Sequence, residues 1–283
     1  MRIVVTGASG QLGRLVVEEL LARGVPADQL LAAGRTEAKL ADLAARGVPT
    51  AVVDYDSPAT LDAAFTAGDT VLLISGNAVG QRIRQHTAVV DAAVRAGAER
   101  LVYTSVLSAD RQWLMTPEHL GTEQAVKDSG LPATLLRHGW YSENYASVLA
   151  KARTTGEVVD SAGEGRVASA SRADFAAGIA AVLSTAGHDG AVYEFSGDTA
   201  WTFEELAATC AEILGRDVVH RSVSSEEHAA RLSAAGLDEG TVGFLVGMDA
   251  AIRDGVLGLQ TGDLSRLSGR PTTPLADTLR AAG

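Results

Sequence analysis

The chain predicts an open, doubly wound parallel α/β sheet with a smaller α+β lobe after it, and three observations carry that prediction. Through the first half, short β-branched runs alternate with longer helical patterns. The first run leads through Gly7, Gly10 and Gly13 into an amphipathic stretch. Near residue 145 the alternation breaks, and a polar, glycine-bearing segment begins. Strand–helix–strand repetition with buried strands needs a parallel sheet covered on both faces, and right-handed crossovers wind it doubly.

Taken in order, the expected strands are Ile3–Thr6, Leu30–Ala33, Thr50–Val53, Thr70–Ser75, Arg100–Ser105 and Ala133–Arg137. The helices between them are Gln11–Arg23, Glu37–Arg46, Pro58–Phe65, Val79–Ala96 and Pro117–Ser129. In the first helix Leu12, Leu15, Val16, Leu20 and Leu21 form the stripe of a helix packed on one face. Arg23-Gly24 and Ala96-Gly97 are stop signals, since glycine accepts the left-handed cap. Beyond residue 145 the pattern predicts a helix at Ala173–Leu183 and a strand at AVYEFSG. Helices at Thr202–Leu214, Ser224–Ala234 and Pro274–Ala281 follow.

The turn Gly7, Ala8, Ser9, Gly10, Gln11, Leu12, Gly13 reads G-x-x-G-x-x-G at the first strand–helix junction, where a dinucleotide loop belongs. One glycine permits the tight turn, one lets the main chain approach a pyrophosphate, and one lets helix pack on strand. Amides at the start of the Gln11 helix, at the positive end of its dipole, then face the phosphates. The second strand ends in Arg35, 22 residues after Gly13, with no acidic residue before it to hold a ribose hydroxyl. A guanidinium suits a phosphate, which predicts NADPH over NADH, with NADH still a possible cofactor. Glu37 either contacts the ribose or starts the next helix. The expected division is a dinucleotide-binding part, residues 1–145, and a smaller substrate lobe, residues 146–283, packed on the first and not independent of it. The cleft between them is where an open α/β sheet holds its ligand.

Composition narrows the partners. The 283 residues carry a formal net charge of -11 with no basic block, against a nucleic-acid partner. No 18-residue apolar span argues for a membrane, and Ile3–Val5 is too short an apolar run for a signal peptide. The one cysteine, Cys210, sits in a helical pattern as a small hydrophobe and fits a cytoplasmic location. Nothing in the sequence speaks to oligomeric state.

The Tyr-x-x-x-Lys pair by which short-chain dehydrogenases protonate a carbonyl is absent: Tyr55, Tyr103, Tyr141, Tyr145 and Tyr193 are followed four residues on by Ala59, Leu107, Tyr145, Leu149 and Gly197. On the helix where that pair usually sits, His119 and Glu123 stand at i and i+4. They read as a proton-relay pair, as cleft lining, or as a solvent-exposed helix pair. Two ligands without a third argue against a metal there.

Several segments, TGASGQLGRLV, DYDSPATL, LLISGNAVGQRIRQH, YTSVLSAD, EHLGTE, LLRHGWYSENY, VASASRADFA, YEFSGD and GRPTTPLA, run through nearly the whole chain. Together they resemble the NmrA-like atypical short-chain dehydrogenases, most of all the type 2 NAD(P)H:quinone oxidoreductases, with triphenylmethane reductases as near relatives. The resemblance implies a Rossmann-type fold that binds NADPH without flavin or metal. It places Ser75, Gly76 and Asn77 along the cofactor, and His138, Gly139, Trp140, Tyr141, Ser142 and Glu143 near the nicotinamide. His138 stands where the family often has Asn, exchanging a neutral amide for a titratable ring.

A quinone accepts hydride without a strong acid in the same step, because the hydroquinone anion is a stabilised phenolate, so the missing Tyr–Lys pair is no defect. Such chemistry needs the nicotinamide beside a flat apolar cleft. Trp140 and Tyr141 serve as a stacking wall or as core. His119, Tyr141 or water protonates the oxygen, and Ser105 reads as a cleft residue or a turn former. The expectation is an NADPH-dependent reductase of quinones or similar conjugated small molecules. The alternative is a non-catalytic NmrA-like module that senses NAD(P) and signals to a protein partner. Nucleotide-sugar epimerase or dehydratase chemistry ranks below both, since it usually needs the absent Tyr–Lys pair.

Overall fold

The computed structural model describes residues 2–282. Its strands are β1 (Arg2–Val5), β2 (Leu30–Gly34), β3 (Thr50–Val52), β4 (Asp69–Leu73), β5 (Arg100–Val106), β6 (Ala133–His138), β7 (Glu157–Asp160), β8 (Val192–Phe195) and β9 (Val219–Ser222). Seven of them form one sheet in the order β3-β2-β1-β4-β5-β6-β8, every neighbouring pair parallel. β2, β4 and β5 are buried along their whole length, the signature of strands covered on both faces. Chain order runs outward from β1 in one direction and from β4 in the other, so the switch point lies between them, above Val5 and Leu73.

The helices that flank the first six strands are α1 (Gln11–Ala22), α2 (Ala41–Ala45), α3 (Pro58–Ala64), α4 (Arg82–Ala96) and α5 (Thr116–Asp128). One core joins α1 to the sheet through Ile3, Val5, Val16 and Leu20; the opposite core joins Val71 and Leu101 to Val89, Val90 and Val126 of α4 and α5. Gly121 brings α5 close to α4: a methyl there would lie 2.6 Å from the Ile83 side chain. The helix expected from Val79 begins at Arg82, because Gly80 takes φ +80° and the residues before Arg82 belong to a loop. The helix expected over Glu37–Arg46 is a 3-10 turn at Glu37–Leu40 followed by the short α2.

The second half holds α6 (Ala146–Thr155), α7 (Arg172–Ser184), α8 (Phe203–Leu214), α9 (Ser225–Ala234) and α10 (Glu239–Arg253), with two short helices after them. β7 and β9 make a separate two-stranded parallel sheet. A third core, with Trp201, Phe203, Leu206, Cys210 and Ile252, belongs to this lobe. α7 and β8 lie within the stretch expected to form the second lobe, yet they complete the main sheet: Phe175 and Ile179 of α7 share the core of α1, and β8 pairs with β6. The physical reason is coverage, since the α1 face of the sheet beyond β6 needs a helix and an edge strand. A capping box of Ser171 and Asp174 starts α7. The Asp174 carboxylate also accepts from Arg270 and from the Thr273 amide, tying GRPTTPLA to the helix start.

Candidate active site

A groove of about 460 Å³ opens over the switch point. Its floor is the glycine turn. Gly7 takes φ +64°, and the Gly10 amide donates to the Gly7 carbonyl at 2.9 Å. A Cβ at Gly13 would stand 2.4 Å from the Gly7 carbonyl oxygen, and one at Gly34 2.8 Å from Ser9 Oγ. Glycine is therefore required on both sides of the turn if helix, strand and loop are to meet. A Cβ at Gly10 would meet only the Gly7 carbonyl, so a longer side chain there would stand in the groove. Thr6 stitches the neighbouring strand ends: its hydroxyl donates to the Leu72 carbonyl, and its oxygen accepts from the Ile74 amide and, at 2.7 Å, from Tyr55. Burial pushes the Tyr55 phenol up to about 12.

Of the expected cofactor residues, Gly7, Ser9, Gly10, Gln11, Leu12, Gly13, Arg35, Ser75, Gly76, Asn77 and Tyr141 line this groove, joined by Asp54, Tyr55 and Arg172, which pattern reading misses. Among the described residues Arg35 is exposed and has no carboxylate partner. Ala8 is sealed beneath the turn, its amide on the Ala33 carbonyl. The segment after β6 mostly serves other neighbours. His138 is buried between Phe175 and Phe195, ring centroids 4.7 and 5.7 Å away, and among the described residues neither ring nitrogen has a protein partner. Gly139 donates to the Phe195 carbonyl, and Trp140 packs on the second-lobe core. Ser142 is buried against Ser169, and Glu143 accepts the Arg172 amide at the start of α7. Tyr141 alone of this segment faces the groove, with Phe175 at its edge and the Arg172 guanidinium 4.5 Å above its ring. Burial raises its phenol to about 12.

The second wall of the groove is the loop Ser75–Gly80, and side chains from α4 and α5 hold it. The Gly76 amide donates to His86 Nε2 at 2.9 Å, and Arg82 donates to the Gly76 carbonyl at 2.9 Å. Glu118 accepts from the Gly80 amide and pairs with Arg82 at 3.0 Å. Arg82 and His86 are i and i+4 on α4, the one sequence signal that could have found them.

His119 and Glu123 are 5% and 0% exposed, so they are no solvent-facing pair, and among the described residues their hydrogen bonds go to other partners and not to each other. Glu123 accepts from Ser105 at 2.7 Å and from both ends of the Arg137 guanidinium at 2.9 and 3.0 Å. Burial alone would raise its carboxyl, but these bonds outweigh it and hold it below the usual carboxylate range. His119 instead meets the Tyr103 hydroxyl through Nδ1 at 2.9 Å. Among the described residues, no three His, Cys, Asp or Glu side chains gather as metal ligands.

A larger depression of about 600 Å³ lies near the ends of β5 and β8, lined by Ser108, Glu194, Arg253 and others, and shares no residue with the groove. Its arginines are committed to carbonyls, Arg111 to Asp254 and Gly255, Arg166 to Ala200, Arg253 to Ser161. The smaller groove, with glycine walls and a helix N-terminus, is the site that fits a dinucleotide.

Residues 7–186 match a family model described as NAD(P)H-binding. The chain belongs to the NAD(P)H-binding family. Quinone oxidoreductase 2 of Escherichia coli K12 is 44% identical over 98% of this chain and 97% of its own. The structure of the NADPH-dependent quinone oxidoreductase QOR2 of Escherichia coli, complexed with NADPH, superposes with TM-score 0.95, 43% identity and 99% coverage of both chains. The Citrobacter triphenylmethane reductase complexed with NADP(H) gives 0.94 at 36% identity, covering 99% of this chain and 100% of that one. Among members of the NAD(P)H-binding family this chain thus keeps its likeness from end to end. Among the described residues, no helix is long and apolar enough to cross a membrane.

Proposed function

We propose that this chain is an NADPH-dependent reductase that passes hydride to quinones or similar conjugated acceptors, with neither flavin nor metal. One observation carries the reading: the groove at the switch point joins the glycine turn, the start of α1 and Arg35, as a dinucleotide site needs, and no lysine stands among its lining residues to make a Tyr–Lys pair. The likeness to the Escherichia coli quinone oxidoreductase over nearly the whole chain supports the same acceptor class.

Bound NADPH supplies the hydride. The chain's own residues do the rest. The amides that open α1 hold the diphosphate, and Arg35 receives the phosphate on the adenosine ribose. Ser75, Gly76 and Asn77 form the opposite wall, fixed by His86, Arg82 and Glu118. Tyr141, braced by Phe175 and Arg172, gives a flat wall toward the acceptor. His119 is the candidate group at the acceptor's oxygen. Glu123, held by Arg137, keeps α5 on the sheet and carries no proton. The acidic chain and its single cysteine support a cytoplasmic protein with no nucleic-acid partner.

The test is NADPH oxidation with benzoquinone, a naphthoquinone and a triphenylmethane dye, next to a cofactor titration. Turnover with at least one acceptor, lost in Gly10→Asp, is the expected result. Tight NADPH binding with no acceptor reduced would sink the enzyme reading and favour a cofactor-sensing module.

A further inference from the structure

Two histidines flank the buried Tyr103 ring, His86 with its centroid 5.6 Å away and His119 with its centroid 6.2 Å away. Their hydrogen bonds demand opposite tautomers. His86 Nε2 accepts the Gly76 amide, so its proton is on Nδ1. The other bond agrees: the Thr122 hydroxyl gives its proton to the Glu118 carbonyl at 3.0 Å, so its oxygen accepts from His86 Nδ1 at 3.0 Å.

His119 is wired the other way round. Its Nδ1 lies 2.9 Å from the Tyr103 oxygen. The Ser75 hydroxyl, 3.4 Å from that phenol, donates its proton to the Thr104 carbonyl, and the Thr122 hydroxyl, which also neighbours the phenol, gives its proton to the Glu118 carbonyl. Of the imidazole lone pair and the two hydroxyl oxygens around it, the phenol proton finds its short bond at the imidazole, and the short bond wins. Tyr103 therefore donates to Nδ1, and His119 carries its own proton on Nε2. Among the described residues that Nε2 meets no protein acceptor, and His119 keeps 5% of its surface exposed.

We infer that Tyr103 is a positioning residue that fixes His119 as the Nε2–H tautomer, and that this N–H is a neutral hydrogen-bond donor to the carbonyl oxygen of the acceptor. The inference rests on the quinone-reductase reading above. Hydride reaches a carbon of the conjugated ring, the displaced π electrons settle on the carbonyl oxygen, and the His119 N–H holds the oxyanion as charge develops. The enolate oxygen then takes a proton from water, the ring carbon that received the hydride gives up a proton to water, and the second carbonyl oxygen takes one, so NADPH, quinone and one proton give NADP⁺ and hydroquinone. His119 keeps its proton throughout and needs no recharging between turnovers.

The surroundings keep the ring neutral. Facing it are Arg82 and His86 from α4, Tyr103 from β5 and His138 from β6, while Glu123 on its own helix is taken by Arg137. Burial, then Arg82 and His138, bring His119 down to about 3. A neutral donor works the same way from mildly acid to mildly alkaline pH, whereas a general acid with the usual imidazole value would lose activity as pH rises past it.

The first measurement is long-range ¹⁵N–¹H NMR of the histidine rings in the intact chain, without quinone. The expected result is His86 as Nδ1–H and His119 as Nε2–H in one spectrum. His119 as Nδ1–H, as a tautomer mixture or as imidazolium at neutral pH overturns the inference, whatever the enzyme turns over. Tyr103→Phe should leave the fold and the NADPH dissociation constant unchanged, mix the His119 tautomers, and lower kcat about tenfold. His119→Leu should lower kcat about a hundredfold at constant NADPH affinity, and His119→Gln, which keeps an N–H, should recover part of it. Equal activity of the Leu and Gln variants, or a kcat limb near the ordinary imidazole value that vanishes in both, would refute a neutral donor. A wild-type chain that reduces no quinone sinks the function reading, and the spectrum still reports the tautomers separately.

Discussion

The two loops that wall the cofactor groove are held in opposite ways. The turn at residues 7–13 is shaped by its own lack of side chains: Gly13 has main chain where a Cβ would stand, and Gly7 takes a conformation that other residues avoid. The loop at 75–80 is shaped from outside, its Gly76 amide and carbonyl and its Gly80 amide each taken by a side chain from α4 or α5. A loop defined by sterics leaves its reason in the adjacent letters. A loop defined by distant polar partners leaves its reason on helices up to 38 residues away.

Gly13→Ala attacks the first kind of support and should have the larger effect. Its methyl would meet the Gly7 carbonyl oxygen at 2.4 Å and the Ala8 Cα at 2.8 Å, atoms that cannot rotate aside. We expect a loss of about 3 kcal/mol or more, read as a lowered Tm together with abolished NADPH binding. Unchanged titration curves would show that the turn relaxes and that glycine is not required there.

Arg82→Met attacks the second kind. Arg82 is buried, bonds the Gly76 carbonyl and pairs with Glu118, so its removal leaves a carbonyl and a carboxylate short of a donor. Glu118 is half-buried and keeps some water, so the loss is that of acceptors left short of a donor, about 1–3 kcal/mol. The expected signature is a KM for NADPH raised at least tenfold with a smaller change in Tm than Gly13→Ala produces, because only the loop depends on this arginine. A Tm loss as large as that of Gly13→Ala, with KM unchanged, would mean that Arg82 supports the fold and not the loop.

The same contrast explains what could be read from the sequence. β1 to β6, α1 and the glycine turn follow from periodicity and from where glycines stand, since those signals are local. α6, α10, β7 and β9 escape it: the two strands have four residues each and pair only with each other, across 62 residues. In the site, the i, i+4 spacing of His119 and Glu123 is visible, but their partners are not. Glu123 turns to Arg137 because a buried carboxylate takes a bidentate guanidinium over a neutral ring, and that arginine comes from the next strand. His138 to Glu143 is adjacent to the groove in sequence, yet all but Tyr141 are occupied by α7, β8 or the second lobe.

Acid should separate the two loops most cleanly, with the smallest effect per side chain. Thr6–Gly13 contains no titratable side chain, whereas the 75–80 side of the groove has His86 and, behind it, His119. Burial first, then nearby positive charge, brings both rings from 6.5 to about 3, and burial does the same to His138. Each folded value lies below the unfolded one, so between them the unfolded chain takes up more protons. The stabilising contribution is complete above about 6.5 and is lost as pH falls toward 3. At pH 5 the cost per histidine depends only on the unfolded value, because the folded ring is still neutral, and amounts to about 2 kcal/mol. Tm measured from pH 7 to pH 5 should therefore fall by several degrees, and His86→Gln should remove part of that slope without touching the glycine turn. The histidine also accepts the Gly76 amide only while Nε2 is unprotonated, so NADPH affinity should weaken along with Tm. A Tm flat across that range would show that water or local opening reaches these rings, and that the second loop is no more sensitive to acid than the first.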